Sequence, residues 1–148
     1  MIIKVTPTVT VGAYDANDCV GGILTITGAI RIAGAGAILQ SIVLTDMAAQ
    51  KKEMQVFIFN ANPAAGTYTN NGALDIHDTD MGYCIGAIKI AATDYLEAAD
   101  NAVATVTNIG LICEPASGTT LYAVVKTPDT PTYAAATDLS FKFGFLRD

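Results

Sequence analysis

Apolar and polar residues alternate along much of this chain with a period of two. That spacing puts one face of a β-strand on a core and the other in water. At the start, Ile3, Val5, Val9 and Val11 are interleaved with Thr6, Thr8 and Thr10. Pro7 lies in the same run and has no N–H to give to a ladder. This segment is therefore expected at a sheet edge, or as an arm that reaches another chain. Residues 14–18 are rich in Asp and Asn, which favour turns. Residues 22–27 and 29–33 read as two short apolar strands divided by Gly28. In 38–45, Ile38, Gln40, Ile42 and Leu44 alternate with Leu39, Ser41 and Val43, so both faces are largely apolar and a central strand is expected. Residues 54–60 repeat the pattern, with Met54, Val56 and Ile58 on one side and Phe57 and Phe59 on the other. These two runs are expected to pair as a long hairpin with Lys51, Lys52 and Glu53 at its solvent tip.

Further along, Asn60 to Pro63 and Asn70-Asn71-Gly72 are turn signals. One short helix is expected between 73 and 83, where Leu74, Asp75, Asp78 and Met81 fall near helical spacing. Residues 84–91 read as a buried strand, and 103–107 and 119–126 as further strands. The run 138–147 carries Phe141, Phe143 and Phe145 on one face, which predicts a terminal strand tied into the core. Eight or nine strands with almost no helix predict an all-β fold, a two-sheet β-sandwich of jelly-roll type with at most one or two short helices. An immunoglobulin-like sandwich is the alternative, but the chain has no Trp and no evident cysteine pair. The expected organisation is an edge strand or arm over 1–11 and one sandwich domain over 12–148.

Charge changes the picture. Only 15% of the 148 residues are charged, against about a quarter in ordinary soluble proteins. Apolar residues reach 51% and the net charge is −6. A surface so poor in charge gains little from ion pairs and is expected to bury flat uncharged area against other chains, as a homo-oligomer does. The basic residues are scattered, which argues against nucleic acid as a partner. No run reaches the ~18 apolar residues of a membrane span, and the N-terminus does not read as a signal peptide. Cys19, Cys84 and Cys113 are odd in number and widely spaced, so they predict neither a disulfide framework nor a zinc site, and fit a reducing compartment.

Candidate chemistry is sparse. The single histidine, His77, has no Gly-x-Ser-x-Gly around Ser41, Ser117 or Ser140 to serve. Asp75, Asp78 and Asp80 could supply oxygens to a hard cation, but no Glu closes an EF-hand register, and an acid-rich helix start explains them equally. No phosphate loop follows the Gly34-Ala35-Gly36 corner. No cofactor or metal is expected and no enzyme. The residues expected to touch a sister subunit or another protein are Ile3, Val5, Pro7, Val9 and Val11.

Several segments carry a resemblance as a set: Val20-Gly21-Gly22-Ile23-Leu24-Thr25, Ile38 through Asp46, Phe59-Asn60-Ala61-Asn62-Pro63, Ser117-Gly118-Thr119-Thr120-Leu121-Tyr122 and Asp138 through Leu146. In this order they resemble small virion structural proteins of tailed bacteriophages, of the head decoration (cement) type. The resemblance implies a non-enzymatic protein made in the host cytoplasm. It implies a homotrimer on the capsid surface that binds the major capsid protein and stabilises the shell. Another virion part, such as a tail or fibre-base sandwich, and a carbohydrate-binding β-sandwich module are the alternative functions.

Overall fold

A computed structural model describes residues 1–147, so Asp148 of the expected 12–148 domain lies outside the described residues. The chain is all-β and its strands pair antiparallel. In chain order they are β1 (Ile2–Val5), β2 (Gly12–Ala13), β3 (Asp18–Ile26), β4 (Ala37–Asp46) and β5 (Met54–Phe59). After one helical turn, α1 (Asp78–Met81), come β6 (Cys84–Ile90), a 3-10 turn at Ala92–Asp94, β7 (Tyr95–Ala98), β8 (Asn101–Val106) and β9 (Leu111–Cys113). The last three are β10 (Leu121–Thr127), β11 (Thr132–Tyr133) and β12 (Leu139–Leu146). The larger sheet runs β1-β12-β4-β8-β7, with β9 paired to the far end of β4. The smaller runs β3-β10-β5-β6, and β2 pairs β11 as a short clip.

Both sheets send side chains into one hydrophobic cluster. The larger contributes Leu39, Ile42, Leu44, Phe141, Phe143 and Phe145. The smaller contributes Leu24, Ile26, Val56, Ile58, Leu121 and Val125. The alternation read in β12 therefore points its three Phe rings inward, where the Phe141 and Phe143 rings stack with centroids 6.1 Å apart.

The smaller sheet also has a covered outer face. Cys19, Phe59 and Val124 form a second buried cluster there, roofed by Tyr68, Leu74 and Ile76 from the long β5–β6 connection. One carboxylate holds that roof in place. Asp80 is buried and accepts hydrogen bonds from the backbone N–H groups of Ala64, Ala65 and Gly66 at 3.1, 2.8 and 2.9 Å. The Tyr68 hydroxyl donates to the same carboxylate at 2.6 Å.

Four expectations are corrected. First, β4 and β5 do not form a hairpin, because residues 47–53 carry the chain from the larger sheet to the smaller. The Asp46 carboxylate accepts from Ala48 and Lys51 N–H and folds this crossing back, so Lys51, Lys52 and Glu53 lie half-buried, with Lys51 paired to Glu97. Second, residues 29–33 are bends leading into a turn, not a strand, although Ala29 and Ile30 are core. Third, β6 is a half-buried edge strand. Fourth, the run 3–11 is a strand only as far as Val5.

Pro7 explains that last break. It is buried against Gly21, which sits at φ 79°. A Cβ on Gly21 would lie 2.3 Å from the Pro7 Cβ. Gly21→Ala is expected to cost about 2–5 kcal/mol, from left-handed backbone at about 1–2 kcal/mol and the forced displacement of Pro7 at about 1–3 kcal/mol. Thermal melting checks it; a variant that melts with the wild type would show that the Pro7 segment yields freely.

Candidate interaction face

Among the described residues, none roofs the outer face of the larger sheet as 60–83 roofs that of the smaller. Residues directly opposite each other in antiparallel strands share a face, so strand register alone lays out this surface. Ile112, Ile38 and Leu146 stand side by side across β9, β4 and β12. Next to them run Ile2, Gly144 and Ser41 across β1, β12 and β4. A third row holds Lys4, Lys142, Val43 and Thr105, and a fourth Ser140, Thr45, Val103 and Leu96.

Twelve large apolar side chains stand exposed on the described residues, and six of them, Ile2, Ile38, Leu96, Val103, Ile112 and Leu146, are in these rows. Ile112 and Leu96 are 73% and 76% exposed. A shallow depression of about 500 Å³ lies at the Ile112 end, lined by Gly36, Ala37, Ile38, Ile112, Leu146 and Arg147. The Arg147 guanidinium donates to the Gly28 carbonyl at its margin. Ile2, Ile38, Ile112 and Leu146 adjoin at one end of this face and Val103 and Leu96 at the other, and grouped apolar side chains on one sheet face mark interaction sites more than scattered ones do. The rows contain Ile, Leu, Val, Thr, Ser, Gly and Lys, and no acidic side chain, in a chain whose net charge is −6.

The residues expected to make outside contacts have mostly found cover within the chain. Ile3 and Val5 are half-buried on the inner face of β1, opposite Phe143 and Phe141. Pro7 is buried on Gly21, and Val9 is 2% exposed in the main core. Val11 alone is open, at 63%. Residues 8–10 are tied down as well: Asn70 donates to the Thr8 carbonyl and the Thr10 hydroxyl, and its own carbonyl accepts from Tyr14 and Gly21. The premise that this apolar face needs a second chain is thus corrected. Ile2 and Lys4, on the other side of β1, belong to the open face instead.

The remaining candidates are occupied locally. His77 caps α1, its Nδ1 accepting from the Thr79 N–H at 3.1 Å. The Asp80 carboxylate is occupied by the Ala64–Gly66 backbone, and among the described residues no three His, Cys, Asp or Glu side chains gather as a metal site. Burial pushes the Cys19 and Cys113 thiols up to about 11, which keeps them protonated at neutral pH.

Sequence reading missed the open face, although a signal existed. A strand apolar on both sides, as 38–45 is, either lies between two layers or shows one apolar side to a partner. Compared with known proteins, the chain matches no family model and no curated protein.

Proposed function

We propose that this chain is a bacteriophage head decoration protein, non-enzymatic and trimeric, which lays the open face of its larger sheet on the assembled shell of major capsid protein. The observation that carries this reading is the contrast between the two sheets. The chain roofs the outer face of the smaller sheet with its own 60–83 segment and leaves the outer face of the larger bare, with six large apolar side chains in view. Fully covering one Ile or Leu is worth about 1.5–3 kcal/mol, so a shell that covers several gains enough to hold the protein. Low charge elsewhere on the surface favours close contact between three copies.

The fold reading that goes with it is a two-sheet jelly roll. Eight strands, β1, β3, β4, β5, β6, β8, β10 and β12, pair first with last, second with seventh, third with sixth and fourth with fifth. The pairings of β12 with β4 and β10 with β5 then join these four ribbons into two sheets. A long antiparallel hairpin rolled on itself has this order, which supports the jelly roll met in viral capsid and lectin domains. That architecture is an analogy and specifies no activity by itself.

Binding to the assembled shell and not to its free subunits would stabilise the shell by mass action. The test uses heads of the phage whose genome carries this chain, assembled without it. The purified protein is expected to co-sediment with them to saturation and to raise the temperature at which they open. Co-sedimentation with tails and not heads, or with neither, would overturn the reading.

A further inference from the structure

We infer that the open face holds an anchoring groove for an acidic side chain of the partner protein, built around Lys4 and Lys142. The inference rests on the proposed function only in taking the shell as that partner. The two lysines stand directly opposite each other on β1 and β12. Like charges in that position repel, at a cost of up to about 1 kcal/mol. Among the described residues the only ion pair is Lys51 with Glu97, so neither of these lysines has a carboxylate to offset the repulsion.

Between and beside them lies a groove of about 470 Å³, lined also by the hydroxyl residues Thr6, Thr45, Thr137 and Ser140 and by no acidic side chain. The Ser140 hydroxyl is buried and has no hydrogen-bond partner. Buried polar atoms are nearly always partnered, and those that are not call for an explanation. Two ammonium groups stand among four hydroxyl residues, and no carboxylate lines the groove to balance their charge. A carboxylate supplies what they lack: it neutralises the lysine pair and accepts from the hydroxyls.

The surroundings select the source of that carboxylate. The groove is flanked by Ile2 on the neighbouring row, Val43 on the lysines' own row and Met47 at its wall. A protein surface can cover apolar flanks while presenting one or two acids. A nucleic acid would meet just two of the eight basic residues against a net charge of −6. A second copy of this chain, face to face, would bring four ammonium groups into one poorly solvated contact.

Lys4→Glu separates binding from folding. It replaces the repelling pair with an attracting one, so the melting temperature should hold or rise. Binding to heads that lack the protein should weaken about 100-fold or more, the scale for reversing a buried interfacial charge. Lys4→Arg with Lys142→Arg should stay within a few-fold of wild type. A second probe needs no heads: the blocked peptide acetyl-Ile-Asp-Val-Asp-Ile-amide should shift the NMR amide signals of Lys4, Ser140 and Lys142, and its Asn counterpart should not. Wild-type binding to heads that Lys4→Glu leaves unchanged overturns the groove, and so does the absence of any shift with the acidic peptide. If heads bind nothing while the acidic peptide alone shifts these signals, the groove stands and the decoration reading falls.

Discussion

Removing residues 1–11 is expected to unfold the protein or leave it without a fixed core. The period-two pattern alone suggests a dispensable arm, but the packing does not. β1 supplies the ladder along one edge of β12 and lays Ile3 and Val5 over Phe143 and Phe141. Val9 is part of the main core and Pro7 fills the space above Gly21. Covering Val9 fully is worth about 1.5–3 kcal/mol, and the half-buried Ile3 and Val5 add about as much together. With the hydrogen bonds of β1, the loss reaches roughly 5 kcal/mol or more, the lower end of a whole domain's stability. The truncated chain should lose its cooperative melt and its near-ultraviolet circular dichroism. A sharp transition within a few degrees of the full-length protein would show that the segment is an accessory arm after all.

Asp80→Ala is the second large effect, expected to cost about 2–4 kcal/mol. It leaves three backbone N–H groups and the Tyr68 hydroxyl without their acceptor. Each buried donor left unpaired costs about 1–3 kcal/mol, and water reaching the exposed Ala64 and Ala65 keeps the sum below the full total. In a domain of this size about 1 kcal/mol moves the melting temperature by roughly 2–4 °C, so a drop of about 5–15 °C is expected. The roof over Phe59 and Val124 should loosen first and bind a hydrophobic dye. An unchanged melting temperature would show that the roof is held by Leu74 and Ile76 alone.

The same aspartate sets the acid limb of stability. Burial pushes its carboxyl up, but the hydrogen bonds from Tyr68, Ala64, Ala65 and Gly66 outweigh that and hold it below the ordinary value of 3.8. A carboxyl lowered by folding stabilises above its unfolded pKa, and that contribution is lost as pH falls through the folded one. Asp46 has the opposite sign. Burial raises it and the nearby Asp138 carboxylate adds to the rise, against hydrogen bonds from Lys51, Ala48 and Gln50. Its contribution is fully present below the unfolded pKa and is lost as pH rises through the folded one. On acidification from neutral, stability should therefore rise as Asp46 takes its proton, then fall below the ordinary carboxylate range as Asp80 takes its own. Asp80→Ala should flatten that acid limb and Asp46→Asn should remove the rise, both read from melting temperatures across pH.

The legible part of this molecule is what a period of two encodes. Phe141, Phe143 and Phe145 all point into the core, and the central place of 38–45 is met by β4, paired on both sides. Pairing partners were not legible. Residues 38–45 and 54–60 are adjacent apolar runs, and nothing local says that the crossing between them changes sheets. The roof was illegible for another reason: Tyr68, Leu74 and Ile76 sit in irregular backbone with no period to read. The buried aspartates were visible only as acids. Asp46 and Asp138 stand at strand ends among small residues whose N–H groups they accept, a turn signal that distinguishes a loop-holding acid from a solvated or metal-binding one. Gly21 gives no hint by itself that it receives Pro7.

The central claim is that the open face of the larger sheet meets another protein. Under the decoration role proposed above, a cryo-EM reconstruction of decorated phage heads tests it most directly. The account predicts density for this protein on the head, with Ile38, Ile112 and Leu146 covered by a neighbouring chain and an acidic side chain within reach of Lys4 and Lys142. A particle in which that face looks out into solvent, with the roofed sheet against the shell, would contradict it.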